Sequence, residues 1–381
     1  MKKKILFLIH DLGQGGAEKV LVNLVNNLDR KKFDISVTVL FGGGVNEQFL
    51  KPDVHFHAVF SKMIPGNSKL MKMLTPRQLH RLCVKERYDI EVSYLEGPSA
   101  RVISGCEVPG TKLVSWIHSN HFSMDEAAAS FRSASEAAEC YGRFDRIVCV
   151  SQYMKDNFCH WMPVREKCAV LYNTVESDEI RSLAEEPAPE LETETASTVK
   201  LVAVGTLKQV KGFDRLLRIV KRLKEDGRKV HLYLLGRGPL ESELRNYTEE
   251  NHLEDEVSLL GYQANPYKYV AKCDIMVCSS YSEGFSTAVT EALVVGTAVC
   301  TVNVSGMTEM LGEHNEYGIV TDNDEEALYQ GIRTLLENND LLERYKAQAE
   351  ARGKVFQKEQ TVGAVEEMLL YKLGENDVGI H

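Results

Sequence analysis

KILFLIHDLGQGGAEKVLVNLVNNL, residues 4–28, reads as a strand, a glycine-bearing loop and a helix in direct succession. The strand, Lys4 to Ile9, is apolar without a break from Ile5 onward, as a strand covered on both faces requires. Ala17 to Leu28 then carries apolar residues at helical spacing. In the loop His10–Gly16, Gly15 and Gly16 let the backbone come close to a ligand, with a plain tight turn as the alternative. The spacing does not complete a dinucleotide fingerprint, because Glu18 stands where the last glycine belongs, and this argues against an oxidoreductase.

The same succession recurs along the chain. Ile35–Phe41 ends in Gly42-Gly43-Gly44, and further strands are expected at Ile90–Tyr94, Lys112–Ile117 and Ile147–Val150, with helical patterns between them. Alternation of this kind gives an α/β fold with a parallel sheet whose ligands gather at the carboxyl ends of the strands. His10, Gly15, His118 and Ser151 all follow expected strands and so belong to one edge. His118, in LVSWIHSNHFS, is the candidate catalytic histidine by placement, with His121 competing and a structural role as the plainer reading.

At 381 residues the chain exceeds one ordinary core, and 44% hydrophobic with 26% charged residues is a soluble globular composition. The net charge of −10 is uneven: 23 Lys and Arg against 18 Asp and Glu up to Val175, and 22 against 37 beyond it. An acidic second half argues against nucleic acid. The cysteines form no CxxC pair, and with no signal-like or membrane-spanning run they predict reduced thiols in a cytoplasmic protein. Within 61–87, Lys62, Lys69, Lys72, Arg77, Arg81, Lys85 and Arg87 face the single acid Glu86 and are interleaved with Met63, Leu70, Met71, Met73, Leu74, Leu79 and Leu82. Such a segment suits peripheral contact with the inner face of the cell membrane or an acidic acceptor. An ordinary solvated helix-loop-helix is the equal alternative, because Pro65 and Pro76 break the long amphipathic helix that membrane binding would favour.

SDEIRSLAEEPAPELETETASTVK, from Ser177, is acidic and proline-bearing and marks a boundary. The expected domains are 1–175, a linker 176–199, a second Rossmann-like domain 200–354, and a C-terminal stretch 355–381 with helical apolar spacing from Val362 to Leu373. In the second domain, strands at Lys200–Val204, Val230–Leu235, Val257–Leu260, Ile275–Cys278 and Ala298–Val302 end in glycine-bearing exits. One exit holds Lys211 beside Gly212 at a helix mouth, a setting for phosphate whose plain alternative is a surface lysine. Another holds Gly236. In SSYSEGFSTAVTEALVVG, 279–296, Glu283 lies in a polar loop and Glu291 inside an apolar helix capped by Ser286 or Thr287, whose mouth is an anion site.

Taken together, GGAE at Gly15–Glu18, the strand-end His118, VGTLKQVKGFDRLL at Val204–Leu217, LLGRGP at Leu234–Pro239, LLGY at Leu259–Tyr262 and the pair Glu283 and Glu291 resemble the retaining GT-B glycosyltransferases of family 4 over nearly the whole chain. The resemblance implies a GT-B fold, two Rossmann-like domains with a cleft between them, the first binding acceptor and the second a nucleotide sugar, UDP-sugar favoured. It implies that Gly15 and Gly16 approach the donor phosphate, that Lys211 binds the pyrophosphate, and that His118 lies beside the transferred sugar. Glu291 would hold the ribose, Tyr262 would lie near the base, and Glu283 would face the sugar, with Gly284, Phe285, Ser286 and Thr287 offering backbone N–H groups. Thr206 stands where the family often has Arg, and Lys208 is the candidate replacement. The C-terminal stretch would cross back to the first domain.

The expected chemistry breaks the bond between anomeric carbon and diphosphate, with Lys211 and helix mouths stabilising the leaving group without metal. Asp322-Asn323-Asp324 reads as a turn and N-cap rather than a metal motif. The expected acceptor is a glycan or a lipid-linked acceptor in polysaccharide or glycolipid synthesis. A nucleotide-sugar epimerase and a non-catalytic nucleotide-sugar sensor are the alternatives.

Overall fold

The computed structural model describes residues 2–13, 15–63, 66–191, 197–283 and 285–370. It divides into two compact units, Met1–Val175 with Glu359–His381, and Glu176–Lys358.

The first unit is built on a seven-stranded sheet: β1 (Lys3–Ile9), β2 (Phe33–Phe41), β3 (His55–Phe60), β4 (Ile90–Ser93), β5 (Lys112–Ile117), β6 (Arg146–Cys149) and β7 (Cys168–Val170), in spatial order β3-β2-β1-β4-β5-β6-β7. All pairings are parallel. Ile5 to Ile9 are buried on both faces, which is why β1 reads as an unbroken apolar run; β4 is buried throughout as well, with Glu91 and Ser93 as its polar members. The order reverses between β1 and β4, so the loops after those two strands flank a crevice at their carboxyl ends. The helix after β1 is Gly16–Asn27, buried through Val20, Leu21, Leu24 and Val25.

The second unit repeats the plan with β8 (Val199–Val204), β9 (Val230–Leu235), β10 (Val257–Gly261), β11 (Ile275–Cys278), β12 (Ala298–Val302) and β13 (Ile319–Thr321), in order β10-β9-β8-β11-β12-β13. Its reversal lies between β8 and β11. These are two Rossmann-like sheets, the two-domain arrangement of the GT-B fold.

Residues 176–199, expected as a linker, instead open the second unit with a helix. Ser177–Ala184 buries Ser177, Ile180 and Ala184, and Asn265 Nδ2 donates to the Leu183 carbonyl at 2.8 Å. The acidic composition reflects the exposed face of this helix, which hid its buried stripe. Residues 192–196 lie outside the described ones. At the other end, the helix Lys358–Leu370 buries Val362, Val365, Met368 and Leu369, and Lys112 Nζ of the first unit donates to the Met368 carbonyl at 2.7 Å. Leu373 lies outside the described residues.

Candidate functional site

In the second unit the loops after β8 and β11 meet across the reversal of the sheet. Lys211 Nζ donates to Glu283 Oε1 at 2.6 Å, and Ser280 Oγ donates to the same oxygen at 2.6 Å. Cys278 Sγ lies 4.0 Å from it, and burial first, then the Glu283 charge, push that thiol up. Two local features hold the loops together. Gly212 has φ 62°, and a Cβ there would stand 2.0 Å from the Ser279 carbonyl oxygen, so only glycine allows this approach. Arg215, buried, donates through Nε to the Ser279 carbonyl at 2.7 Å and through Nη2 to Ser280 at 2.8 Å and Asn323 Oδ1 at 2.9 Å.

The helix after this loop is Thr287–Val294, with Ser286 as N-cap accepting from the Val289 N–H at 3.4 Å. Glu291 is the fifth residue of the helix, 9% exposed, and accepts from the Tyr267 hydroxyl at 3.3 Å. Phe285, expected near the donor, turns its ring inward against Phe356, with centroids 6.1 Å apart, and leaves only backbone for a ligand. Gly284 lies outside the described residues. Thr206 and Lys208 are both exposed on the β8 loop, Gly236 lies at the β9 exit against the Gly205 carbonyl, and Tyr262 follows β10 at 71% exposure. These exits share one end of the sheet, because parallel strands finish on the same side.

Asp322-Asn323-Asp324 serves structure. Asp324 Oδ1 caps the helix Glu325–Glu337 through the Ala327 N–H at 2.8 Å, and Asn323 is taken by Arg215.

In the first unit, Gly15 is the N-cap of the helix Gly16–Asn27, and a Cβ on it would meet Glu18 Oε2 at 2.0 Å. The Glu18 carboxylate therefore folds over the helix mouth, and burial raises its pKa. Gly16 faces open space. His118 follows β5; its backbone N–H donates to Glu96 Oε2 at 2.9 Å, and its ring packs 5.0 Å from that of Tyr94. Its Nε2 is buried with no hydrogen-bond partner among the described residues. Burial lowers its pKa to about 4, against the opposing pull of Glu96, so the imidazole is neutral at pH 7. His121 Nε2 is likewise buried with no hydrogen-bond partner among the described residues, while its backbone is held: Asn157 bonds its N–H and its carbonyl, each at 3.0 Å, and Trp161 Nε1 donates to that carbonyl at 2.9 Å.

A buried cluster of His80, Glu91 and Cys106 has metal-ligating residue types. Its groups satisfy one another, His80 Nε2 donating to Glu91 Oε2 at 2.7 Å and Cys106 Sγ to Glu91 Oε1 at 3.6 Å. The 2.7 Å separation is a hydrogen bond and closer than two ligands of one tetrahedral zinc stand. Arg215 and Ser280 lie inside the quoted stretches 204–217 and 279–296 without being singled out there, and Tyr267 and Glu96 lie in no quoted stretch. Arg215 offered one signal, a charged residue at an otherwise apolar helical position.

Two family profiles match. The one described as "Glycosyltransferase Family 4" covers residues 14–179 and the one described as "Glycosyl transferases group 1" covers 191–352. Among curated relatives, the Campylobacter jejuni N-acetylgalactosamine-N,N'-diacetylbacillosaminyl-diphospho-undecaprenol 4-alpha-N-acetylgalactosaminyltransferase is 30% identical over 98% of this chain and 100% of its own length. Among solved structures, HepE of Anabaena in complex with UDP superposes with a TM-score of 0.77 at 20% identity, covering 97% of this chain and 99% of that one. WaaG, a glycosyltransferase involved in lipopolysaccharide biosynthesis, gives 0.72 at 14% identity over 97% and 100%. With both halves matched in order and a relative aligned from end to end, the chain belongs to glycosyltransferase family 4, the group 1 glycosyl transferases, and is a glycosyltransferase of GT-B fold.

Proposed function

We propose that the chain is a retaining, metal-independent transferase that moves a hexosyl or N-acetylhexosaminyl unit from a UDP-sugar to a glycan or lipid-linked acceptor. The observation that carries this reading is the pair Lys211 and Glu283 spanning the reversal of the second sheet, with the helix mouth at Ser286 and Glu291 beyond it. Lys211 and the N–H groups of that mouth take the pyrophosphate, Glu291 the ribose, Glu283 the donor sugar, and Tyr262 the base. His118, neutral and with Nε2 unpartnered, serves the transferred sugar. Relatives support the substrate classes: HepE was crystallised with UDP and with UDP-glucose, and the Campylobacter enzyme is named for forming an α linkage on a diphospho-undecaprenol carrier.

In this mechanism the acceptor hydroxyl approaches the face from which the diphosphate leaves. The bond between anomeric carbon and phosphate oxygen breaks, the new glycosidic bond forms on the same face, and the hydroxyl proton passes to the released phosphate oxygen. Negative charge on the diphosphate is met by Lys211 and by the helix dipole, so the chain's own residues supply what a metal otherwise would. The exposed apolar side chains Met63, Met73 and Leu82 among the basic residues of 61–87 support peripheral contact with an anionic membrane carrying the acceptor. Ile64 and Pro65 of that segment lie outside the described residues. Among the described residues no helix is long and apolar enough to cross a membrane.

Incubation with UDP-sugars, with and without a diphospho-polyprenyl glycan acceptor, tests the reading. Transfer only when acceptor is present supports it. A new free nucleotide sugar without acceptor identifies an epimerase, and binding without turnover a sensor.

A further inference from the structure

The exit of β4 is built more rigidly than a connecting loop requires. Ser93 Oγ donates to the Leu95 carbonyl at 2.7 Å, and the Gly97 N–H donates to the Tyr141 hydroxyl at 3.2 Å. Gly97 has φ 77°, and a Cβ there would stand 2.8 Å from Ser130 Oγ. Pro98 then starts a helix whose first bond runs from the Arg101 N–H to the Gly97 carbonyl at 3.0 Å. Glu96 sits between these fixed neighbours. This loop also flanks the reversal of the first sheet, opposite the loop that follows β1.

Held there, Glu96 and Tyr94, two residues apart on one exit, grip His118 from two sides. The carboxylate takes its backbone N–H at 2.9 Å, and the Tyr94 ring lies against the imidazole at 5.0 Å. Tyr94 is in turn fixed by the Trp116 ring at 5.2 Å and by its N–H to the Leu8 carbonyl at 2.9 Å. The Glu96 to His118 bond is charge-assisted and joins the ends of adjacent parallel strands, where the ladder has already stopped at Ser93 and Ser115. Nothing else in the described residues bonds the His118 N–H, so removing the carboxylate frees the backbone on which the imidazole is mounted.

We infer that Glu96 is a positioning residue for the transfer step, acting through His118 by accepting its backbone N–H. This rests on the reading of His118 as the group beside the transferred sugar. A displacement of about 1 Å in such a group costs on the order of 100-fold in rate. The effect falls on kcat, because Glu291 and Tyr262, the residues assigned to the ribose and the base, belong to the second unit.

The test is a double-mutant cycle of E96A and H118A in the full chain, with kcat, donor KM and melting temperature measured for each, and E96Q alongside. Positioning predicts that E96A lowers kcat about 10-fold to 100-fold with donor KM unchanged, and that E96A costs nothing further in the H118A background. E96Q keeps an oxygen acceptor of the same shape and stays within about threefold of the parent, a modest loss of charge assistance. If E96A melts too low to assay, E96Q alone decides. Parent-like kcat in E96A, additive losses in the double variant, or a loss in E96Q of 100-fold or more each overturn the inference. Full activity in H118A overturns the reading of the site itself, which is a different failure.

Discussion

Lys211 and Glu283 stand 2.6 Å apart, so under the proposed mechanism a diphosphate would share the ammonium with a carboxylate already holding it. In that mechanism, removing the ammonium takes a point charge away from the leaving group. K211A should lower kcat/KM by about 100-fold to 1,000-fold, and transfer near the parental rate would remove Lys211 from the mechanism. H118A should lower kcat by a similar factor without unfolding the first unit. The His118 pKa of about 4, below its ordinary value of 6.5, adds a pH dependence. As pH falls below 6.5 the unfolded chain takes up a proton that the folded chain refuses until about pH 4. His118 therefore makes stability fall across that window, and the acid-side drop in melting temperature should be smaller in H118A. The pH profile of kcat should show no limb near 6.5 from this histidine. His118 was legible because it follows an apolar strand directly. Its carboxylate partner at position 96 was not, because a contact across 22 residues leaves no local pattern.

The elements that were legible are those with long buried faces. β1, β2, β8 and β9 read directly from their apolar runs, whereas β3, β7 and β13 are edge strands, short or half exposed, and carry no such run. The helix Ser177–Ala184 was hidden by the acidic residues of its solvent face. Two local arrangements depend on single side chains that the sequence reading did not single out. Arg215 donates to both Ser279 and Ser280 carbonyls, so R215A should destabilise the second unit by about 2–4 kcal/mol and raise donor KM, read by denaturation and kinetics. His80 ties the helix Pro76–Cys83 to β4 through Glu91. Burial opposes its charge, but Cys106 and Glu91 outweigh burial and hold its pKa up at about 9. This contribution is whole below pH 6.5 and is lost as pH rises through 9. H80Q should flatten the alkaline fall in melting temperature, and an unchanged slope would show that Glu91 is not the partner that matters.

At the scale of the molecule, one α/β plan occurs twice, and in each copy the candidate site residues lie on loops at the carboxyl ends of parallel strands. Charge follows the division, the acidic excess lying beyond Val175. A ligand of the second unit at about 100 times its dissociation constant adds about 2.7 kcal/mol to that unit, so the accepted nucleotide should raise its melting transition by several degrees while E291A abolishes the shift. Dialysis against EDTA should leave transfer intact; loss restored only by Mn or Mg would defeat the metal-free account. Sugar and acceptor identity were not legible, since they depend on loop shapes rather than on residue types. The most direct measurement is the anomeric configuration, by proton NMR, of the glycoside formed from an α-linked UDP-sugar in the presence of EDTA. An α-linked product is expected from attack on the leaving-group face, and a β-linked product would contradict the account.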